Sequence, residues 1–190
     1  FGEVVRAQGA YIHNLEPFWD HYWKNGENDK LGWRLEYNMK HRGDVYATHG
    51  LGPVAQALDI HRGDRMKTLV AMDTKSVVGK SLVEERTGQP CENFRNGDHT
   101  TTLIRTENGK VIEIQHDVMT PQPYNRLYQL TGTKGFANKY PIEGYALDAK
   151  QLNASGVAPE VDNLNSHSFM PKKDMEALVQ KYQHPILKKY

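Results

Sequence analysis

The fold class of this chain is decided by one stretch, Thr100-Thr101-Thr102-Leu103-Ile104-Arg105-Thr106-Glu107-Asn108-Gly109-Lys110-Val111-Ile112-Glu113-Ile114-Gln115-His116-Asp117-Val118. Its two halves, Thr100 to Thr106 and Val111 to Val118, alternate apolar and polar residues as strands do. Between them lies an Asn-Gly pair, which is typical of the tight turn of a β-hairpin. The stretch therefore predicts two antiparallel strands joined at Asn108 and Gly109.

The rest of the chain supplies further strands and few helices. Strands are predicted over Val4 to Gln8, over Met66 to Met72 and from Leu127 to Leu130, and helices over about Pro53 to Leu58 and over Met175 to Tyr182. The segment from Thr74 to Asn96 is interpreted as a long irregular connection. This balance predicts an α+β fold with an open antiparallel or mixed sheet, one face of which packs on helices.

Length and charge limit the kinds of function. The chain has 190 residues, enough for one domain with a core, and 38% of them are hydrophobic. With 24 Lys and Arg against 23 Asp and Glu, the net charge of +1 gives no basic footprint for nucleic acid. Apolar runs such as Thr68 to Met72 are too short for a membrane span. The single cysteine, Cys91, excludes an internal disulfide and a cysteine-based metal site.

A phenol and an imidazole, Tyr46 and His49, lie three residues apart ahead of Gly50-Leu51-Gly52-Pro53. Pro53 is expected in the first turn of the helix that follows. The positive end of the helix dipole then disfavours the imidazolium form of His49 and leaves a neutral ring able to accept a proton. The alternative is a hydrogen-bonded turn without a catalytic role.

A carbohydrate site needs polar side chains and aromatic rings that converge on one place. Candidates of this kind are Tyr11, Arg34, Tyr46, Thr48, His49 and Tyr124. The fork of Arg34 suits two hydroxyls or an acetamido carbonyl, although a surface ion pair is the alternative. Tyr124 follows Pro123 on a stiffened loop, where its ring and hydroxyl could close a pocket. The alternative is a tyrosine that only packs against its neighbours. The tryptophans Trp19, Trp23 and Trp33 are assigned to the core or to a subunit contact.

The histidines do not form a recognisable metal motif. There is no His-Glu-x-x-His, and His116 and Asp117 are neighbours in a predicted strand, where their side chains point to opposite faces. We therefore expect no metal. A pair of carboxylates of the ordinary glycosidase type is equally absent from any recognisable motif.

Several motifs, in chain order, resemble those of glycoside hydrolase family 109, the NAD-dependent α-N-acetylgalactosaminidases. They are Gly9-Ala10-Tyr11-Ile12-His13, Trp33-Arg34-Leu35, the segment from Gly43 to Pro53, Gln115-His116-Asp117, Pro121-Gln122-Pro123-Tyr124 and Gly132-Thr133-Lys134-Gly135-Phe136. The resemblance implies the C-terminal sheet domain of the glucose-fructose oxidoreductase and inositol dehydrogenase superfamily. It also implies that a lack of paired carboxylates is expected, because the family's chemistry is redox.

The resemblance assigns roles to individual residues. It implies catalytic roles for His49, Tyr46 and Tyr11, and substrate binding by Tyr11, Arg34, Tyr46, Ala47, Thr48, His49 and Tyr124. The implied reaction oxidises carbon 3 of the sugar, eliminates the aglycone, adds water and reduces carbon 3 again. The implied cofactor is NAD, bound mainly by an N-terminal Rossmann domain. No Gly-x-Gly-x-x-Gly follows a strand here, so residues 1–190 are expected to be a single substrate and oligomerisation domain, incomplete at its N-terminal and C-terminal sides.

The expected partners follow from the same resemblance. They are a glycan or glycoside substrate and further copies of the chain, which pair through the sheet face, and the implied setting is the bacterial periplasm or secretion. Two other interpretations stay open. A sugar dehydrogenase of the same superfamily would release NADH, and a carbohydrate-binding or oligomerisation module would not catalyse at all.

Overall fold

A computed structural model describes residues 1–15, 20, 22–27, 30–147, 149–159 and 166–189. Its strands are β1 (Val4–Ile12), β2 (Met66–Asp73), β3 (Thr100–Thr106), β4 (Val111–Asp117), β5 (Gln129–Gly132), β6 (Phe136–Asn138) and β7 (Gly144–Ala146). Its α-helices are α1 (Trp33–Lys40), α2 (Ala47–Ala57), α3 (Val78–Thr87), α4 (Ala149–Ala154) and α5 (Lys172–Tyr182), with short 3-10 turns at Lys24–Gly26 and Leu187–Lys189.

The strands form one mixed sheet in the order β2-β3-β4-β1-β5-β6-β7. Strands β1 and β4 pair in parallel, and the other pairings are antiparallel. The predicted hairpin is the pair β3 and β4, and Gly109 in its turn has a φ of 83°. The prediction of an α+β fold with an open mixed sheet is confirmed.

Helix α2 lies on one face of the sheet because alternate residues of the central strands are apolar. Ala7 of β1 and Ile112 of β4 are register partners, and both are almost fully buried. Val54 and Leu58, at the C-terminal half of α2 and just beyond it, complete this core with Ile104. Because strands alternate their side chains between faces, the same face continues along β1 through Gly9 to Tyr11.

The opposite face of the sheet carries polar and apolar residues side by side. Val70, Leu103, Glu113 and Gln8 are successive register partners across β2, β3, β4 and β1. Arg6 donates to Glu113 at 2.5 Å and to Gln8 at 2.8 Å, while Val70 is 60% exposed and Leu103 48% exposed. This surface is called the open sheet face below.

The prediction of an irregular connection from Thr74 to Asn96 is wrong, because α3 lies inside it. The carboxylate of Asp98 accepts hydrogen bonds from the backbone amides of Val77, Val78 and Gly79, which satisfies the first turn of the helix. The helix ends at Gly88, whose φ is 66°. The capping residue comes about twenty positions after the helix start, so a local start signal is missing from the sequence.

Other boundaries also differ from the predictions. Helix α2 begins at Ala47 and contains Pro53, and helix α5 begins at Lys172. Strand β1 continues to Ile12, while β5 starts only at Gln129 because Leu127 adopts a φ of 44°. Helix α1 was not predicted at all.

The tryptophans divide between the interior and the surface. Trp23 is 3% exposed and belongs to a second core with Tyr22, Leu35 and Val118. Trp33 is 62% exposed at the start of α1, so it is not part of the core, and its alternative assignment to a subunit contact stays a prediction. Trp19 lies outside the described residues.

Candidate functional site

The register of the sheet brings two predicted motifs together at the ends of β1 and β4. Tyr11 and His116 are Cα partners in the parallel pairing, so their side chains project from the same face. That face is the one covered by α2 further along the strands. Tyr11 is half-buried and His116 is buried, with their ring centroids 6.1 Å apart.

Two glycines set how closely α2 approaches the sheet. A Cβ atom built on Gly9 would fall closer than 3.0 Å to the backbone carbonyl of Gly50, so the strand has no room for one. A Cβ atom on Gly50 would lie 3.0 Å from Cγ2 of Ile114, which is a tight contact. Because the two glycines carry no side chains, the helix lies close enough to β1 for the ring of His49, the residue before Gly50, to contact the strand. His49 accordingly stacks on Tyr11, with ring centroids 4.3 Å apart and planes 23° apart.

Tyr46 precedes α2, and Asp44 fixes its backbone. The Tyr46 amide donates to Oδ1 of Asp44 at 2.9 Å, as in an Asx turn, and the His49 amide donates to the Tyr46 carbonyl at 3.0 Å. The Tyr46 ring stacks on His116 at 5.7 Å and lies 5.6 Å from Tyr11. Tyr46 therefore closes the cluster on the side of the helix start.

Helix α1 contributes Arg34, and a buried amide pair holds this helix beside the Tyr46 turn. Asn96 donates to Oδ1 of Asn38 at 2.8 Å and accepts from the backbone amide of Gly43, while Asn38 donates to the Arg34 carbonyl. The Arg34 guanidinium lies 4.3 Å from the centre of the Trp33 ring. The Trp33 ring lies 6.5 Å from the Tyr46 ring, and Arg34 is close enough to Tyr46 to act on its hydroxyl, so both lie at the edge of the cluster.

The loop after β4 is organised by the buried carboxylate of Asp117. It accepts hydrogen bonds from the amides of Met119 and Thr120, from the Thr120 hydroxyl and from the Gln122 side chain. Burial alone would raise the pKa of Asp117, but the bonds from His99, Thr120 and Met119 outweigh it and hold that pKa below its usual range. The loop is therefore built on a charged group.

This loop returns antiparallel to the end of β1 and delivers two more side chains. Asn125 exchanges backbone hydrogen bonds with Ile12, which places Tyr124 against His13 at a ring distance of 5.4 Å. The Arg126 guanidinium lies 4.8 Å from the centre of the Tyr11 ring, and its Nε donates to the Tyr124 hydroxyl. Arg126 therefore bridges the strand and the loop.

The histidines of the cluster all favour the neutral form. Burial, followed by the charge of Arg126, lowers the pKa of His49 and of His13. Burial lowers the pKa of His116 to about 4. The direction for His49 agrees with the sequence prediction, although the causes are burial and Arg126 where the sequence suggested the helix dipole.

The tyrosines of the cluster favour the phenol form. Burial raises the pKa of Tyr11, which the charges of Arg126 and Arg34 oppose without cancelling. Burial likewise raises the pKa of Tyr46 against the opposing effect of Arg34. At neutral pH the cluster therefore presents neutral imidazoles as proton acceptors and phenols as proton donors.

The structure brings Tyr11, Arg34, Tyr46, His49 and Tyr124 into one cluster. Ala47 and Thr48 lie in the first turn of α2, where Ala47 is half-buried and Thr48 is exposed.

The sequence analysis did not select His13, His116 and Arg126 as site residues. Two of them are two positions from a selected tyrosine, and spacing by two places side chains of an extended chain on one face. His13 and Arg126 were therefore accessible to sequence reasoning. His116 needed the parallel register.

Among the described residues, no three His, Cys, Asp or Glu side chains are placed to hold a metal ion together. No helix in the described ranges is both long enough and apolar enough to cross a membrane.

Comparison with known proteins gives one family. The family profile described as glycosyl hydrolase 109, C-terminal domain, matches residues 1–190. Glycosyl hydrolase family 109 protein 5 of Phocaeicola vulgatus is 85% identical over 190 residues, covering 100% of this chain and 36% of the relative. The family 109 protein of Porphyromonas gingivalis is 58% identical over 186 residues, covering 98% of this chain and 38% of the relative. The chain thus spans little more than a third of these relatives.

Solved structures with a similar arrangement are sugar and polyol dehydrogenases. An inositol dehydrogenase homologue from Azotobacter vinelandii, complexed with NAD+, is 15% identical with a TM-score of 0.46, covering 77% of this chain and 32% of that one. UDP-N-acetylglucosamine 3-dehydrogenase from Acidithiobacillus ferrooxidans is 9% identical with a TM-score of 0.44, covering 100% and 48%. A likeness of this size carries no argument about function.

Proposed function

The chain belongs to glycosyl hydrolase family 109 as its C-terminal domain, and on that premise we propose that the cluster around Tyr11 and His49 is the sugar-binding and proton-transferring wall of a glycosidase. The proposed substrate is a terminal α-N-acetylgalactosaminide. The proposed course is oxidation at carbon 3, elimination of the aglycone, addition of water and reduction at carbon 3.

One observation carries this proposal: the His49 ring stacks on Tyr11 at 4.3 Å, and burial and Arg126 lower the pKa of His49. A neutral imidazole is a competent base near pH 7. The His49 imidazole is the base, and the Tyr11 phenol stacked against it, whose pKa is raised, is the acid. The two groups are close enough to act on the same sugar ring. Elimination and hydration need both, because a proton leaves carbon 2 and another reaches the departing oxygen.

The residues divide the work by their protonation. His49 takes the proton of the sugar hydroxyl at carbon 3 or the proton at carbon 2. Tyr11 and Tyr46, whose pKa values are raised by burial, donate hydrogen bonds to the oxygen at carbon 3 and a proton to the leaving oxygen. Donor roles for the two tyrosines follow from these raised pKa values.

Substrate positioning falls to the edge of the cluster. Arg34 beside the exposed Trp33 offers a planar pair of donors next to an aromatic face, which suits an acetamido group and the apolar side of a sugar. Tyr124 and Arg126 cover the opposite edge, and their mutual hydrogen bond fixes both. Thr48 adds an exposed hydroxyl on the first turn of α2.

The described residues of this chain offer a site for the sugar but no dinucleotide-binding βαβ unit for NAD. The parallel strands β1 and β4 are separated along the chain by two further strands of the same sheet, so they do not form a βαβ unit for a dinucleotide. We propose that NAD is bound mainly by another part of the whole protein and supplies reversible hydride removal at carbon 3. The residues of this chain then bind the sugar, orient it and move its protons.

The open sheet face is proposed to pair copies of the chain. Exposed Val70 and Leu103 lie next to the half-buried hydrogen-bond network of Arg6, Gln8 and Glu113, and this mixture of apolar and polar groups suits a subunit interface. Light scattering of the full-length protein and of Leu103→Glu tests this, since the charge should dissociate the assembly. An unchanged mass would contradict it.

The test of the proposed function is turnover of an aryl α-N-acetylgalactosaminide by the full-length enzyme, followed together with the absorbance of reduced nicotinamide. We expect repeated aglycone release without accumulation of NADH. One NADH per sugar consumed would indicate a sugar dehydrogenase instead. Binding of the glycoside without aglycone release or NADH would indicate a non-catalytic carbohydrate-binding module.

A further inference from the structure

Pro53 lies within α2, four residues after His49. In an α-helix the amide of each residue donates to the carbonyl four residues earlier, and the carbonyl paired in this way with residue 53 is that of His49. Pro53 has no amide hydrogen and cannot make this bond. The carbonyl of the residue whose ring stacks on Tyr11 therefore needs a donor from elsewhere.

Tyr128 supplies that donor from a different part of the chain. Its hydroxyl donates to the His49 carbonyl oxygen at 2.6 Å, across 79 positions of sequence. The Tyr128 ring is half-buried, just ahead of β5, and its hydroxyl lies beside the Arg126 guanidinium. Burial lowers the pKa of Arg126, but Tyr124 and, less strongly, Tyr128 raise it above its ordinary value. One phenol thus connects the backbone of His49 with the loop that carries Arg126.

We propose that Tyr128 is a positioning residue that takes over the hydrogen bond Pro53 cannot make and so holds the His49 ring against Tyr11. This inference rests on the proposed role of His49 in proton transfer. The Gly9 and Gly50 contact fixes how near the helix comes to the strand, and the Tyr128 bond fixes the turn of α2 on which His49 sits. Small displacements of a catalytic group are costly, roughly a hundredfold in rate for about 1 Å.

A double-mutant cycle tests this inference with the full-length enzyme. Tyr128→Phe removes only the hydroxyl, and Pro53→Ala restores a backbone amide that can donate to the His49 carbonyl. We expect Tyr128→Phe to lower kcat by about tenfold with little change in KM, Pro53→Ala alone to stay within about threefold of the native enzyme, and the double variant to recover most of the loss. Tyr182→Phe, at the exposed C-terminal end of α5, is the matched control for loss of a tyrosine hydroxyl.

Thermal unfolding of the same four proteins gives a readout that does not depend on activity. Tyr128→Phe should lower Tm when Pro53 is present and lower it much less in the Pro53→Ala background, because the carbonyl then has a donor in either case. Failure of Pro53→Ala to rescue either kcat or Tm would overturn the inference, as would a Tyr128→Phe enzyme with native kcat. A native enzyme that releases no aglycone would refute the proposed function, while the Tm cycle would still decide whether Tyr128 replaces the missing helical bond.

Discussion

Gly9 and Gly50 meet where strand β1 crosses helix α2, and the carbonyl of Gly50 occupies the space that a Cβ of Gly9 would need. Each glycine has a site residue close to it in the chain. Tyr11 lies two positions after Gly9 on the same strand face, and His49 immediately precedes Gly50. The stacking of His49 on Tyr11 is therefore a consequence of this backbone contact.

Gly9→Ala should separate the helix from the strand and lower the stability of the protein by roughly 2–4 kcal/mol, because the new methyl group meets backbone and cannot be accommodated by a rotamer change. The matched control is Gly52→Ala in the same helix, where an added Cβ meets no atom within 4 Å apart from its own helix backbone and its chain neighbours. That variant should change stability by less than about 1 kcal/mol, because the gain in helix propensity is opposed by crowding between the new Cβ and the ring of Pro53. Thermal unfolding of both variants is the measurement. Equal changes in Tm would contradict the prediction, because they would show that a methyl group fits between β1 and α2.

Asp44→Asn should stabilise the protein at alkaline pH. Burial raises the pKa of Asp44 to about 6 from its ordinary 3.8, so the folded state prefers the protonated carboxyl. Its stability contribution is present below about pH 4 and is lost as the pH rises to about 6, at a cost of about 2 kcal/mol after solvent screening. Asparagine keeps the acceptor for the Tyr46 amide without the charge. We expect a higher Tm at about pH 8 and a near-native Tm at about pH 4; an equal gain at both would contradict the titration of Asp44.

Arg126→Gln should move the acidic limb of the pH–rate profile to higher pH. The guanidinium lowers the pKa of His49 and His13, so its removal lets both pKa values rise and leaves His49 protonated at a higher pH. Arg126→Lys keeps the charge and serves as the control. The kcat/KM profile of both variants in the full-length enzyme is the measurement. A limb that stays in place in Arg126→Gln would mean that a group other than His49 controls it.

The sequence predicts the local parts of this molecule better than the distant ones. The hairpin of β3 and β4 depends on an Asn-Gly turn and on alternation within one stretch, so it could be predicted. Helix α3 could not, because its first turn is capped by Asp98 from beyond its own end. The prediction places Pro53 in the first turn of α2, whereas the helix begins six residues earlier, at Ala47, directly after the Asx turn in which Asp44 accepts from the Tyr46 amide.

The residues of the candidate site also differ in whether local sequence could predict them. The Tyr46 and His49 pair was recognisable from its own spacing, and the resemblance to a family supplied Tyr11, Arg34 and Tyr124. His116 joins them only through the parallel pairing of β1 with β4, which no short pattern encodes. The bond from Tyr128 to His49 is equally distant in sequence.

The kinetics and thermal unfolding of His49→Gln in the full-length enzyme test the central claim most directly. Glutamine is similar in size and keeps hydrogen-bonding capacity, but it cannot accept or return a proton near neutral pH. The account predicts that kcat for an aryl α-N-acetylgalactosaminide falls by roughly a hundredfold or more while Tm changes little. A variant with nearly native kcat and a Tm lowered in line with a loss of about 1 kcal/mol would contradict it, because His49 would then only brace the first turn of α2.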